Sequence, residues 1–477
     1  MSTDDPTGQE PTPADGAAWE QMLRQMFGAD ADDALRQIRE QGLDPAAMAA
    51  ASGLPADPAA LGQVMAQVQR MLSSSGSGPV NWDVAHDVAR QVAVTGGDPS
   101  LTPQEARQVT EALGVAELWL DAATELPPAG GPVRALSRSE WVEQTLPTWR
   151  TLTEPVATSM STALASTLAG QLPEGGEGLP PILGGGAVDP QQMVRQLGAL
   201  VFGMQVGQAA GSLSRETFGL TDAGLPLVAE PATALVPRNV ADFAEGLDVP
   251  IDEVRLFLAL REAAHARLFT HVAWLRGHLL AAVDAYARGI TIDIESLEES
   301  VRAIDPTDAR ALQGALSSGV FAPHTTDEQK AVLARLETAL ALVEGWVDEV
   351  TAAAAMPHLP HTVALREMIR RRRAAGGPAE QTFATLVGLE LRPRRSRDAA
   401  ALWSRIAREQ GTEARDAVWD HPDLLPTAED LDDPQGYAAR RTAAADEHAD
   451  LDRALAEILG TDGPDGTTGT DEAPDQG

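Results

Sequence analysis

The chain has 477 residues and a formal net charge of −34, from 36 basic and 70 acidic side chains. Hydrophobic residues make up 43% of it, aromatic residues only 4%, and cysteine is absent. These figures exclude thiol nucleophiles, thiolate metal sites, iron–sulfur clusters and disulfides, oppose general binding to nucleic acid or an anionic membrane, and leave His, Asp and Glu as the metal ligands on offer.

The abundance of Ala and Leu favours helix, and β-branched and aromatic runs that would build a large sheet are scarce. The length allows two or three domains. Lys330 is the one lysine, so no P-loop Gly-Lys-Ser/Thr occurs, and there is no Gly-x-Ser-x-Gly elbow.

Residues 1–18, rich in Pro, Asp, Gly and Thr, are predicted to be disordered. They lack the basic and apolar regions of a signal peptide, and the expected location is cytoplasmic. Residues 19–170 are predicted as a helical N-terminal region. Within it Thr102-Pro103-Gln104-Glu105 is a capping-box helix start. Trp82, Trp119, Trp141 and Trp149 fall on helical patterns and read as core.

Residues 171–190 carry Pro173, Gly175, Gly176, Gly178, Pro180, Pro181 and Gly184-Gly185-Gly186, the composition of a linker or loop. Residues 191–458 are predicted as the main helical domain. Its first helix, 191–214, repeats Gly203, Gly207 and Gly211 along one face, which predicts close packing on another helix. The apolar stretch at 197–206 is too short to span a bilayer. Residues 225–245 contain the best strand candidates, Leu225-Pro226-Leu227-Val228 and Ala234-Leu235-Val236-Pro237, both broken by Pro as edge strands or extended segments are.

Asp248 to Glu253 then opens a helix with Leu256, Phe257, Leu260, Ala264 and Leu268 at helical spacing. A second helix follows at 273–288 and a long one at 327–355. Another holds Arg370–Arg373 and stops at Gly376-Gly377-Pro378. Residues 366–415 carry twelve Arg against six acidic residues. In so acidic a chain this excess reads as an internal electrostatic partner or a solvated face. Residues 459–477 are predicted to be a disordered acidic tail.

The chemistry-bearing run is Arg261-Glu262-Ala263-Ala264-His265. In His-Glu-x-x-His the two His share a helix face and bind one Zn²⁺, while the Glu is general base for the metal-bound water. Here Arg261 stands at the first ligand position, Glu262 at the base position and His265 at the second ligand position. Glu344-Gly345-Trp346-Val347-Asp348 lies downstream on the long helix. Glu-x-x-x-Asp resembles the third-ligand helix of thermolysin-like gluzincins. That resemblance implies Glu344 as metal ligand and Asp348 as the residue orienting the first ligand position. His271 competes as third ligand, since its offset from Arg261 fits the last His of a metzincin motif, although Leu268 replaces the Gly of that motif.

Leu258 to Phe269, His271 to Arg276, Glu344-Gly345-Trp346-Val347, Leu391-Arg392-Pro393-Arg394-Arg395 and Arg415 to Pro426 together resemble a bacterial, actinobacterial zincin-like family over roughly residues 190–435. The resemblance implies a mostly α fold, a zincin-like helical core with at most a small β-sheet plus the helical N-terminal region. It also implies a zinc-dependent metallopeptidase or hydrolase acting on a peptide or protein.

Arg261 departs from the intact motif, because a guanidinium has no lone pair to give a metal. Two readings follow. One is a zincin-type zinc metallopeptidase with a degenerate, impaired motif. The other is a non-catalytic interaction or scaffold protein in which Arg261 and the carboxylates of Glu344 and Asp348 replace the metal. In the first, His358 and His361 could stabilise an oxyanion; otherwise they belong to a loop after a helix. His278 reads as packed or solvated and His421 as a loop anchor. Asp430, Asp432 and Asp433 match no calcium loop.

Overall fold

The protein, a computed structural model, is described at residues 78–171, 190–288, 326–375, 386 and 395–459. The expected disordered N-terminus, the first part of the helical N-terminal region, the interior of the predicted linker and nearly all of the acidic tail lie outside the described residues.

Thirteen α-helices and one two-stranded sheet are present among the described residues. In chain order they are α1 (Trp82–Ala93), α2 (Pro103–Leu120), β1 (Val133–Ala135), α3 (Arg138–Gln171), α4 (Pro190–Ser214), β2 (Thr233–Leu235), α5 (Pro237–Ala244), α6 (Ile251–His271), α7 (Ala273–Arg288), α8 (Asp327–Ala355), α9 (Thr362–Ala374), α10 (Ser396–Gln410), α11 (Thr412–Ala417), α12 (Ala428–Asp432) and α13 (Tyr437–Leu459). The fold is thus mostly α with a small sheet. No described helix is long and apolar enough to cross a membrane.

Local chemistry sets several of these bounds. Thr102 accepts from the Glu105 N–H while Glu105 reaches back, closing the capping box that starts α2. Thr326 and Gln329 make the same reciprocal pair at the start of α8. Gly203, Gly207 and Gly211 of α4 lie against α1. A Cβ at these positions would collide with the carbonyl oxygens of Asn81, Ala85 and Ala89. The glycine stripe is therefore a close helix–helix seam.

α6 is the organising element. It touches α2, α5, α7, α8, α9 and β2, and every residue from Phe257 to Leu268 is buried. Such a helix has no solvent face, so each charged residue in that stretch must find its partners inside. α8 packs beside it and approaches α10 closely at Gly345, where a Cβ would strike Ala399 and Ala400. A single hydrophobic core joins α1–α3 to the helices that follow, and Trp141 and Trp149 are fully enclosed in it.

Of the two strand candidates, the second forms a strand of the small sheet and the first does not. β2 pairs in parallel with β1, Thr233 opposite Val133 and Leu235 opposite Ala135. Residues 225–228 join no ladder. Pro226 has no N–H to donate, and Leu225 and Leu227 are buried as core anchors instead. Gly219 bridges to Leu235 from the other side of β2, which brings the chain just after α4 alongside the sheet.

Candidate functional site

Arg261, Glu262 and His265 occupy the middle of α6, and Glu344 faces them from α8. Their relative exposures are 4%, 3%, 1% and 2%. Arg261 Nη2 donates to Glu344 Oε2 at 2.9 Å. His265 Nε2 lies 3.1 Å from Glu344 Oε1, and its Nδ1 lies 2.9 Å from the Arg261 carbonyl oxygen. Arg373, in the last turn of α9, completes the cluster with Nη1 at 2.8 Å from Glu344 Oε1. Burial opposes ionisation of Glu344. The nearby charges of Arg373, His265 and Arg261 outweigh it and hold the carboxyl well below the usual carboxylate range.

Glu262 points the other way, into the sheet. Its Oε1 accepts from the N–H groups of Leu220 and Ala234 at 3.0 and 3.2 Å. Its Oε2 accepts from the N–H and hydroxyl of Thr221 at 3.1 and 2.6 Å. Burial pushes its carboxyl up, and these four hydrogen bonds push back without cancelling the effect. Both oxygens are committed to protein donors. Gly219 permits the approach, since a Cβ there would overlap Glu262 and the Ala234 carbonyl.

The pairing expected for Asp348 is different in the fold. Asp348 sits one turn beyond Glu344 but accepts from Arg366 Nε at 2.9 Å and from Arg370. It therefore ties α8 to α9 and leaves Arg261 to Glu344. The reason is positional: α9 runs past the Asp348 turn and brings two guanidiniums nearer than α6 brings one.

His271 stands apart from the cluster. Leu268 lets α6 continue to His271, whose Nε2 lies 3.1 Å from the Pro128 carbonyl oxygen on an exposed edge. Ten residues beyond Arg261, at about 100° per residue, the helix has turned this side chain away from the face that carries His265. Of the two competing third-ligand positions, Glu344 is the one that converges with His265.

His358 stacks on Trp119 with ring centroids 4.2 Å apart, and His361 Nδ1 lies 3.0 Å from Glu253. Neither lines the pocket beside the cluster. His278 packs edge-on against Trp274, and His421 caps the N–H of Asp423.

Asp222 was not singled out by the sequence, yet it belongs here. Arg372 Nη1 reaches its Oδ2 at 3.2 Å, and Arg373 Nη2 donates to its carbonyl oxygen at 2.7 Å. Burial would raise the Asp222 carboxyl. Arg372, Arg373 and Arg261, with the Phe218 N–H, lower it overall. Two signals pointed this way: Asp-x-Gly at Asp222–Gly224 marks a turn, and the Arg370–Arg373 run required acidic partners. All four of those arginines are paired: Arg370 with Asp348, Arg371 with Glu367, Arg372 with Asp222, and Arg373 with Glu344 and Asp222.

A small pocket opens between the residue 218–222 segment, Leu235 and α6. Thr221, Asp222, Arg261, Glu262 and His265 form its polar wall, and it has room for about one water molecule. A zinc ion does not fit this donor set. Three lone pairs from protein are needed, and Arg261 supplies none. Both nitrogens of His265 and both oxygens of Glu344 are already engaged. Among the described residues no three His, Asp or Glu side chains group as a metal site.

A family model described as zincin-like metallopeptidase matches residues 80–438. A solved structure described as "a putative hydrolase with a novel fold", from Chloroflexus aurantiacus, shares the fold at a TM-score of 0.53 and 19% identity, covering 76% of this chain and 99% of that one. No curated protein matches the sequence.

Proposed function

The chain belongs to the zincin-like metallopeptidase family, and we propose that it is a non-catalytic member whose buried Arg261–Glu344–His265 cluster stands in place of the metal. Its role is then that of an interaction or scaffold protein for a peptide or protein partner. The observation that carries this reading is the bond from Arg261 Nη2 to Glu344 Oε2, made where the first and third ligands of a zincin would meet. Glu262 supports it. A general base needs a free lone pair aimed at a water, whereas both Glu262 oxygens accept from the backbone and from Thr221. The cysteine-free, acidic composition supports a cytoplasmic setting and argues against nucleic acid as the partner.

The alternative is a zinc-dependent hydrolase with a degenerate motif. In its favour, His265 and Glu344, two of the ligand positions, lie side by side. Metal analysis of the purified chain, with a peptide-cleavage assay run with and without chelator, separates the two. We expect no stoichiometric zinc and no chelator-sensitive cleavage. Stoichiometric zinc that disappears in His265→Ala, or chelator-sensitive cleavage lost in Glu262→Gln, would establish the hydrolase.

A further inference from the structure

We propose that the turn at residues 221–224 is a gate over the buried cluster, latched shut by Asp222 against the α9 arginines. The Gly224 N–H closes the turn by donating to the Thr221 carbonyl at 2.8 Å. Its far end rests directly on the cluster. Gly224 has φ +75°, and a Cβ there would sit 3.1 Å from Glu344 Oε1. Glycine takes this backbone conformation at little cost, and a Cβ here would press on Glu344 beneath.

The two flanks of the turn are fixed from inside. Leu220 and Leu225 are 2% and 1% exposed, and Glu262 holds the Leu220 and Thr221 N–H groups. Trp141 Nε1 adds a bond to the Gly219 carbonyl at 2.8 Å. The middle is held from outside. Ala223 is half-buried and the Asp222 side chain is 10% exposed. Arg372 bonds Asp222 and the Glu216 carbonyl and lies 4.3 Å above the Phe218 ring. Arg373 bonds the Asp222 carbonyl.

These two arginine side chains are 23% and 17% exposed, against 3% for the Glu344 side chain below them. The latch is thus more open to solvent than the cluster it covers. Local openings start at such places, where bonds are solvated and buried apolar contacts are few. Release of Asp222 would let residues 222–224 swing out between the anchored Thr221 and Leu225, uncovering Glu344 beneath Gly224 and His265 on the wall of the pocket. The gate follows from the latch geometry and holds for either reading of the cluster beneath it.

Arg372 tests the latch alone, because its bonds go to the 216–222 segment while Arg373 also serves Glu344. Hydrogen exchange of the full chain would compare wild type with Arg372→Gln and Asp222→Asn. We expect amides within residues 217–228 to exchange about tenfold faster in both variants, the effect of losing one charge-assisted hydrogen bond from a local opening. Peptides spanning 257–268 and 339–348 should keep wild-type protection. Diethyl pyrocarbonate should label His265 faster in both variants, with exposed His271 unchanged as internal reference. Unchanged exchange at 217–228, acceleration shared equally with α6 and α8, or unaltered His265 labelling would each overturn the gate. A metal bound to the wild-type chain would instead overturn the non-catalytic reading and leave the gate standing.

Discussion

α6 carries two buried arginines six residues apart, and they live differently. Arg267 is fully enclosed and spends its guanidinium on Glu117, Asp121 and two carbonyl oxygens, those of Glu117 and Leu126. Its carboxylates are 24% and 54% exposed, so the charge leads outward to water through α2. Arg261 meets one carboxylate, Glu344, which is 3% exposed and shared with Arg373 and His265. A pocket lies beside it. Residue type and burial are the same at both positions. What separates a structural fastening from a site is whether the cation is saturated by several acceptors or shares a single buried anion with competitors.

That contrast ranks the effects of substitution. Glu344→Leu should be the most damaging, because it strands Arg261, Arg373 and His265 without their anion. We expect a loss of about 3–5 kcal/mol in denaturant unfolding. The same residue sets an acid dependence. Its folded-state carboxyl is held well below the ordinary glutamate range, so the unfolded chain binds the proton first as pH falls. The stability gap between wild type and Glu344→Gln should be widest above about pH 5 and narrow steadily on acidification. A gap that widens in acid would contradict the ionised cluster.

Arg267→Met should come next, at about 2–3 kcal/mol, since two carbonyl oxygens lose their donor while Glu117 and Asp121 rehydrate. Arg261→Met should lose only about 1–2 kcal/mol, because Glu344 keeps Arg373 and His265. Urea titration of the two variants side by side is the direct check. If Arg261→Met proves the costlier, the shared-anion account of the cluster is wrong. Thr326→Ala, which removes the cap of α8, should give the smallest effect, about 1 kcal/mol.

The elements read most clearly from sequence are those fixed by neighbours in the chain. The long helix predicted at 327–355 forms with those bounds, because Thr326 and Gln329 cap it locally. The Gly203, Gly207 and Gly211 stripe foretold a close seam because only small residues admit one. Arg261, Glu262 and His265 were legible because one helix carries all three. Glu344 came from the resemblance of its helix to a ligand helix. Asp222, Thr221 and Arg373 were not legible as site residues: a turn signal and a basic run do not say which buried group they face. Asp348 shows the same limit. Glu344 and Asp348 lie one turn apart on one helix, and only the course of α9 decides that Arg366 and Arg370 take Asp348 while Arg261 takes Glu344.

Glu262 has one more consequence. A buried backbone donor left without an acceptor costs about 1–3 kcal/mol. By filling the Ala234 N–H, and those of Leu220 and Thr221 beside it, Glu262 serves as a substitute strand, stitching the residue 218–222 segment to β2 where no backbone ladder does. Exchanging Glu262 for an apolar residue would strand three backbone donors at the centre of the protein, where the 3% exposure of this position leaves them no water to turn to.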